Sequence, residues 1–212
     1  MIRRLSFFFV MLVFVCMAVP SAMATASATD TIRQTVDDVL NIIKKPEMSD
    51  PAQKPALLKE VEDHVKTIFD FVEFSARTVG PKWRTFTEEQ KSRFEEAFAS
   101  LLRATYIEKL EGYSGEKVNF TGEVSSSKGD KVEVQSTIQM QDNKIIPVSY
   151  RLIAKNGQWK VYDVRIENVS MIENYRGQFK DILLKGSAED LIKRVEEKAR
   201  DVRNENSAAK TR

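Results

Sequence analysis

Along the chain the spacing of apolar positions changes twice, from helical to alternating and back. Ile32, Val36, Val39, Leu40 and Ile43 fall on one face of a first helix, which Pro46 ends. Asp50-Pro51 reads as a cap followed by proline at the first helical position. A second helix follows, striped by Leu57, Leu58, Val61, Val65, Ile68 and Phe69. The stretch FDFVEFSARTVGPKW predicts a short aromatic helix over Phe71, Phe74 and Val79, stopping at Gly80-Pro81. Thr87 and Gln90 form a capping box that opens the longest helix, Glu88 to Glu111, with Phe94, Phe98, Leu101, Leu102, Tyr106 and Leu110 as its stripe. From Lys117 the period becomes two. Val118, Phe120 and Val124 mark one strand, Val132, Val134, Ile138 and Met140 a second, and IIPVSYRLIAK a third. Asn156-Gly157 is a two-residue hairpin turn leading to a fourth. Helical spacing returns with Met171, Tyr175, Phe179, Ile182 and Leu183. After Gly186, Ser187 caps a helix with Leu191, Ile192 and Val195, and beyond Ala199 a polar tail, residues 200–212, is expected to fray.

The segment WKVYDVRIENVSMIENYRGQF carries a phase problem. In an unbroken strand, Trp159 and Val161 would face one way and Val164 and Ile166 the other, because side chains alternate with period two. Pairing across Asn156-Gly157 sets Ala154 opposite Trp159 and Leu152 opposite Val161. Regular register would then set Tyr150 against Asp163. One extra residue near Tyr162-Asp163 repairs the mismatch and bends the strand. The expected fold is α+β: a curved four-stranded antiparallel meander, with the N-terminal helical segment and the C-terminal helices packed over its concave face around an apolar cavity.

Composition sets the compartment. Arg3 and Arg4, an uncharged apolar run from Leu5 to Val19, Pro20 and then small residues read as a secretory signal peptide, residues 1–24, cleaved after Ala24 or, failing that, after Ala26 or Ala28. An uncleaved anchor is the alternative, but the run is short for a membrane span. The arginine pair lacks the flanks of a twin-arginine signal, and Cys16 follows bulky Val15, which disfavours lipid attachment. Cleavage removes both arginines and no acidic residue, so the 33 basic residues fall to 31 against 31 acidic ones. A nearly neutral chain is a poor nucleic-acid ligand. The one cysteine leaves as well, and about 188 residues remain, enough for a single domain at residues 25–199 followed by the polar tail.

Catalytic chemistry finds little support. His64 is the only histidine, so neither a serine triad nor a histidine-based metal site can be assembled, and no phosphate-binding loop is present. Glu88-Glu89 and Glu95-Glu96 are adjacent in sequence and diverge on a helix. The remaining classes are a carrier of an apolar ligand and an adaptor or chaperone that binds a protein client.

Two stretches, FDFVEFSARTVGPKWRTFTEEQKSRFEEAFASLLRATYIEKLEGYSG at 69–115 and NGQWKVYDVRIENVSMIENYRGQFKDILLKGSAEDLIKRVEEK at 156–198, resemble the MlaC-type family of periplasmic phospholipid-binding proteins, also described as toluene-tolerance or ABC-transporter auxiliary components. The shared order is Arg77 before Gly80 and Trp83, a helix ending toward Tyr106 and Tyr113, the strand from Trp159 to Val164, then Val169-Ser170 and Tyr175-Arg176. Residues 44–56 match no family pattern. The resemblance implies a soluble periplasmic carrier, not an enzyme, without cofactor and with phospholipid as cargo. It also implies an inner-membrane ABC-transporter complex with a substrate-binding subunit and an outer-membrane lipoprotein-porin complex as partners, and a contribution to outer-membrane lipid asymmetry. On that reading the tails are expected against Phe74, Phe98, Leu101, Val148, Tyr150, Leu152, Val164, Ile166 and Met171, with Arg77 and Arg176 within reach of the phosphate.

Overall fold

The structure, a computed structural model, describes residues 26–107, 110, 113 and 115–210. The expected signal peptide, including Ala24, lies outside the described residues. Helix α1 (Ala28–Ile43) starts where Ser27 accepts the amide of Asp30 at 3.0 Å and ends just before Pro46. Proline also opens the single 3-10 turn that follows, Pro46–Ser49. Helix α2 (Lys54–Ile68) begins three residues later than the Asp50-Pro51 signal predicts. Asp50 instead closes a local turn, its carboxylate accepting the amide of Ala52 at 2.9 Å, and Pro55 takes the first-turn position. Asp70 caps α3 (Phe71–Val79), and Gly80, at a φ of 73°, releases it into a second 3-10 turn, Gly80–Thr85. The reciprocal bonds of Thr87 and Gln90, at 3.0 and 3.1 Å, open α4 (Glu88–Leu102).

Helix α4 is shorter than its stripe predicts, passing into a π-helical turn at Arg103–Ile107. The hydroxyl of Thr105 occupies the carbonyl of Leu101 at 2.8 Å, the acceptor that an α-helical amide at 105 would use. The predicted end at Glu111 lies outside the described residues. The sheet follows as β1 (Lys117–Ser125), β2 (Lys131–Gln139), β3 (Ile145–Lys155), β4 (Gln158–Ile166) and β5 (Val169–Ser170), antiparallel in that spatial order. The short fifth strand was not expected. Glu167 and Asn168 both adopt positive φ, so β4 turns back at once and Val169 pairs with Ile166. Helices α5 (Met171–Lys185) and α6 (Ala188–Lys210) complete the described chain.

The register of β3 with β4 resolves the phase problem as the sequence requires. Leu152 faces Val161 and Arg151 faces Asp163, so Tyr162 is the unpaired residue; Tyr150 then meets Val164, and Val148 meets Ile166. A second bulge, not anticipated, leaves Thr121 unpaired in β1. It turns Val124 onto the outer face, where it is 58% exposed, and brings Glu123 to the inner face, where it accepts a hydrogen bond from Thr29 at 2.6 Å. Gly122, an interior strand glycine, was its signal.

The helices share the sheet unequally. Ala28 and Ile32 of α1 and Ile68 of α2 pack on Val132, Val134, Leu152 and Val161 of the concave face. The aromatic residues of α3 to α6 form a separate core, in which Phe74 and Phe98 stack with ring centres 5.2 Å apart amid Phe94, Tyr175 and Phe179. Tyr162 and Met171 join this core where it meets β4. Helix α6 runs on to Lys210, past the expected fraying at 199. Val202 still packs against the core, and Asn206 donates to the carbonyl of Ala104 at 2.9 Å. Two anchors one turn apart hold a segment whose average polarity concealed them.

Asp163, fully buried beside the bulge, ties the sheet to α5. It accepts from Ser170 at 2.7 Å, from the Ile172 amide at 3.1 Å and from Arg151 at 3.3 Å. Removing the carboxylate strands two buried donors and leaves the half-exposed Arg151 guanidinium to turn to solvent, so Asp163→Ala is expected to cost about 2 kcal/mol or more, and Asp163→Asn less, as read by urea denaturation. Glu73 offers a pH test. Burial raises its pKa, but hydrogen bonds from Arg77 and Lys155 outweigh that and hold it below the usual carboxylate value. A depressed folded pKa gives stability that is present above the unfolded value, roughly 4.3, and is lost as pH falls through the folded one. Glu73→Gln should therefore flatten the loss of stability on acidification; an unchanged slope rejects the assignment.

Candidate functional site

Beneath the middle of α1 lies a cavity of about 480 Å³, partly open to solvent. Ile32, Thr35, Val36, Val39, Leu40 and Ile43 form its roof, Val65 and Ile68 of α2 with Phe69 one side, and Val118, Ile138, Met140, Tyr150, Val161 and Val164 its floor. Leu110, Tyr113 and Glu116 close one end. The hollow follows from how α1 is held. Its first turns pack on the sheet through Ala28 and Ile32, whereas Ile42 and Ile43 pack instead on Val61 of α2. Between these attachments the helix bridges a sheet that curves away from it, with aliphatic side chains too short to fill the gap.

The walls favour an uncharged, apolar occupant. Burial pushes the Tyr150 phenol up, with Ser136 as its hydrogen-bonding neighbour pulling the other way, so it remains a neutral phenol at the floor. Polar character gathers at one end, where the Tyr113 hydroxyl donates to the Glu116 carbonyl at 3.2 Å and Lys44 lies over the Tyr113 ring at 5.9 Å. Glu116 is the one carboxylate among the described lining residues. A groove of about 670 Å³ between α5 and α6 is larger, but Arg194, Lys198, Asp201 and Glu205 line it together with Leu101 and Phe179, so it is not comparably apolar. His64 lies outside the cavity, its Nδ1 3.8 Å from Asp38. Among the described residues no group of histidine, cysteine, aspartate and glutamate could hold a metal, and no helix is long and apolar enough to cross a membrane.

Of the side chains expected to face lipid tails, Tyr150 and Val164 line this cavity. Leu152 belongs to the neighbouring cluster on the concave face, fully buried against protein, and Val148 and Ile166 lie further along the strands, off the lining. Phe74, Phe98, Leu101 and Met171 belong to the aromatic core, whose interlocking rings occupy the space between α3, α4 and α5. The arginines are engaged elsewhere. Arg77 donates from Nε to Glu73 at 2.9 Å and stacks 4.5 Å over Tyr162, while Arg176 donates to the Arg77 carbonyl at 2.8 Å, satisfying an acceptor at the end of α3. The α1 stripe was legible as a helix face but not as a cavity wall. Its all-aliphatic character, beside helices rich in phenylalanine, was the available sign.

Comparison with known proteins agrees with this architecture. The family profile for MlaC protein matches residues 33–197. The intermembrane phospholipid transport system binding protein MlaC of Haemophilus influenzae is 25% identical over 184 residues, 84% of this chain and 85% of that one. Toluene tolerance protein ttg2D of Pseudomonas putida is 27% identical over 126 residues, 59% of this chain and 58% of its own. A phospholipid-binding protein of Ralstonia solanacearum, solved in complex with a phospholipid, superposes with a TM-score of 0.73 at 28% identity, covering 84% of this chain and 99% of that one. By its profile match, its fold and the hollow beneath its first helix, the chain belongs to the MlaC family.

Proposed function

We propose that the protein is a soluble periplasmic phospholipid carrier, exported with residues 1–24 removed, that shelters acyl chain in the α1 cavity. It passes lipid between an outer-membrane lipoprotein-porin complex and an inner-membrane ABC-transporter complex, and so contributes to outer-membrane lipid asymmetry. The observation that carries this reading is the apolar hollow of about 480 Å³ roofed by α1, in a chain whose fold matches a protein solved with a phospholipid. The relative named for intermembrane phospholipid transport supports it. Tyr150 and Val164 are assigned to the tails, together with Val36, Val39 and Leu40. No enzymatic step and no cofactor are part of this function.

The energetics suit a carrier. Each methylene hidden from water is worth about 0.8 kcal/mol, and a bilayer gives nearly the same return, so an apolar wall of ordinary side chains makes extraction close to balanced. Tighter binding would trap the cargo.

Organic extraction of the purified protein, followed by mass spectrometry, is expected to release phospholipid; a chain free of lipid sinks the carrier and favours a protein-binding adaptor. Val36→Trp projects an indole into the hollow and should lower co-purifying lipid on the order of tenfold, about 1.4 kcal/mol, with the melting temperature held. Leu184→Trp, at a residue 70% exposed on α5, should leave occupancy unchanged.

A further inference from the structure

Four of the seven methionines lie in residues 1–24, so the exported chain keeps Met48, Met140 and Met171. Met48 packs against Ile42, Ile43 and Val61, and Met171 against the aromatic core. Met140 instead lines the floor beneath α1, the one sulfur-bearing side chain among the described lining residues. We propose that Met140 is a methionine-sulfoxide site, open to peroxide when the hollow is empty, and that its oxidation loosens the hold on an apolar chain. The second clause rests on the phospholipid reading above.

The strands put the sulfur there. Val118 faces Ile138 and Lys117 faces Gln139, so Met140 follows at the end of β2, beside Glu116. Both line the end of the hollow where the Tyr113 hydroxyl donates to the Glu116 carbonyl. The Met140 amide donates to the Lys144 carbonyl at 2.9 Å and closes the turn into β3, which keeps the side chain on the concave face with Ile138. Met140 is half-buried, not sealed, and the hollow it lines is partly open to solvent.

A thioether is apolar and polarizable, and suits a wall that meets hydrocarbon. A two-electron oxidant changes its character. The sulfur lone pair attacks one oxygen of hydrogen peroxide and forms the S–O bond as the O–O bond breaks. The departing oxygen takes the remaining proton and leaves as water, so the thioether is oxidised to the sulfoxide and the peroxide is reduced. The product carries a strong hydrogen-bond acceptor, and against acyl chain that oxygen has no partner. An occupant acts in the opposite sense. A chain lying on the floor excludes the water and peroxide that must reach the sulfur. Occupancy thus protects the site, and oxidation lowers occupancy, in a compartment that is itself oxidising.

For the test, the exported protein is delipidated, or loaded with dipalmitoyl phosphatidylglycerol, whose saturated chains peroxide leaves intact. Each form is treated with hydrogen peroxide, and peptide mass spectrometry follows Met48, Met140 and Met171. In the empty form Met140 should oxidise severalfold faster than Met171, and loading should slow Met140 while leaving the other two unchanged. Empty protein that is oxidised and then offered the lipid should bind it on the order of tenfold more weakly. Methionine sulfoxide reductases of both epimer specificities should restore that binding. Met140→Leu, measured against its own untreated affinity, should lose nothing further to peroxide. Equal rates at Met140 in the empty and loaded forms, an affinity unchanged by oxidation, a loss the reductases do not reverse, or an equal loss in Met140→Leu each overturns the inference and leaves the carrier intact. A chain that takes up no lipid before any peroxide is added overturns the carrier, and the proposed loosening with it.

Discussion

A single unpaired residue in β4 organises this protein. With Tyr162 outside the ladder, Val161 and Val164 both reach the concave face although three positions separate them. Without it, Tyr150 and Val148 would meet the charged Asp163 and Arg165 past the hairpin. The same displacement places Asp163 in the interior, where one carboxylate holds Arg151, the Ser170 cap and the first turn of α5. Sheet phase, sheet curvature and the seat of the C-terminal helices thus depend on one irregularity. The strand has to bulge because its apolar pattern satisfies no regular register.

Two kinds of interior result. Between α3, α4, α5 and α6, Phe74, Phe94, Phe98, Tyr175 and Phe179 meet edge to face and stacked, and close the space between helices. Under α1 the contacts are aliphatic and the helix spans a hollow. An unfilled volume costs stability roughly in proportion to its size, so a protein that keeps one benefits from a dense core elsewhere. Here the dense core lies on the other side of β4. The ion pairs of Lys155 with Asp70 and Glu73 fasten the start of α3 to the end of β3 at that junction.

Much of the fold was legible in local chemistry. Thr87 and Gln90 announced α4, Asn156-Gly157 the last long hairpin, and the mismatch of Tyr150 with Asp163 announced the bulge. The misreadings were also local in origin. Asp50 can cap a helix or close a turn with the same carboxylate, and Thr105 competes for an acceptor that the apolar stripe does not record. The cavity residues were harder. Phe74, Phe98 and Leu101 lie on helix faces as apolar as that of Val36 and Leu40, and a stripe states that a face is buried without stating against what.

The sequence by itself determined the order and type of the longer elements, the strand that must bulge and the near-neutral charge, because propensity, capping and side-chain phase act over a few residues. Only the tertiary structure decided which apolar face meets dense protein and which meets a hollow. That outcome depends on the angle at which a bent sheet leaves a helix held near its two ends, and no window of the chain contains both.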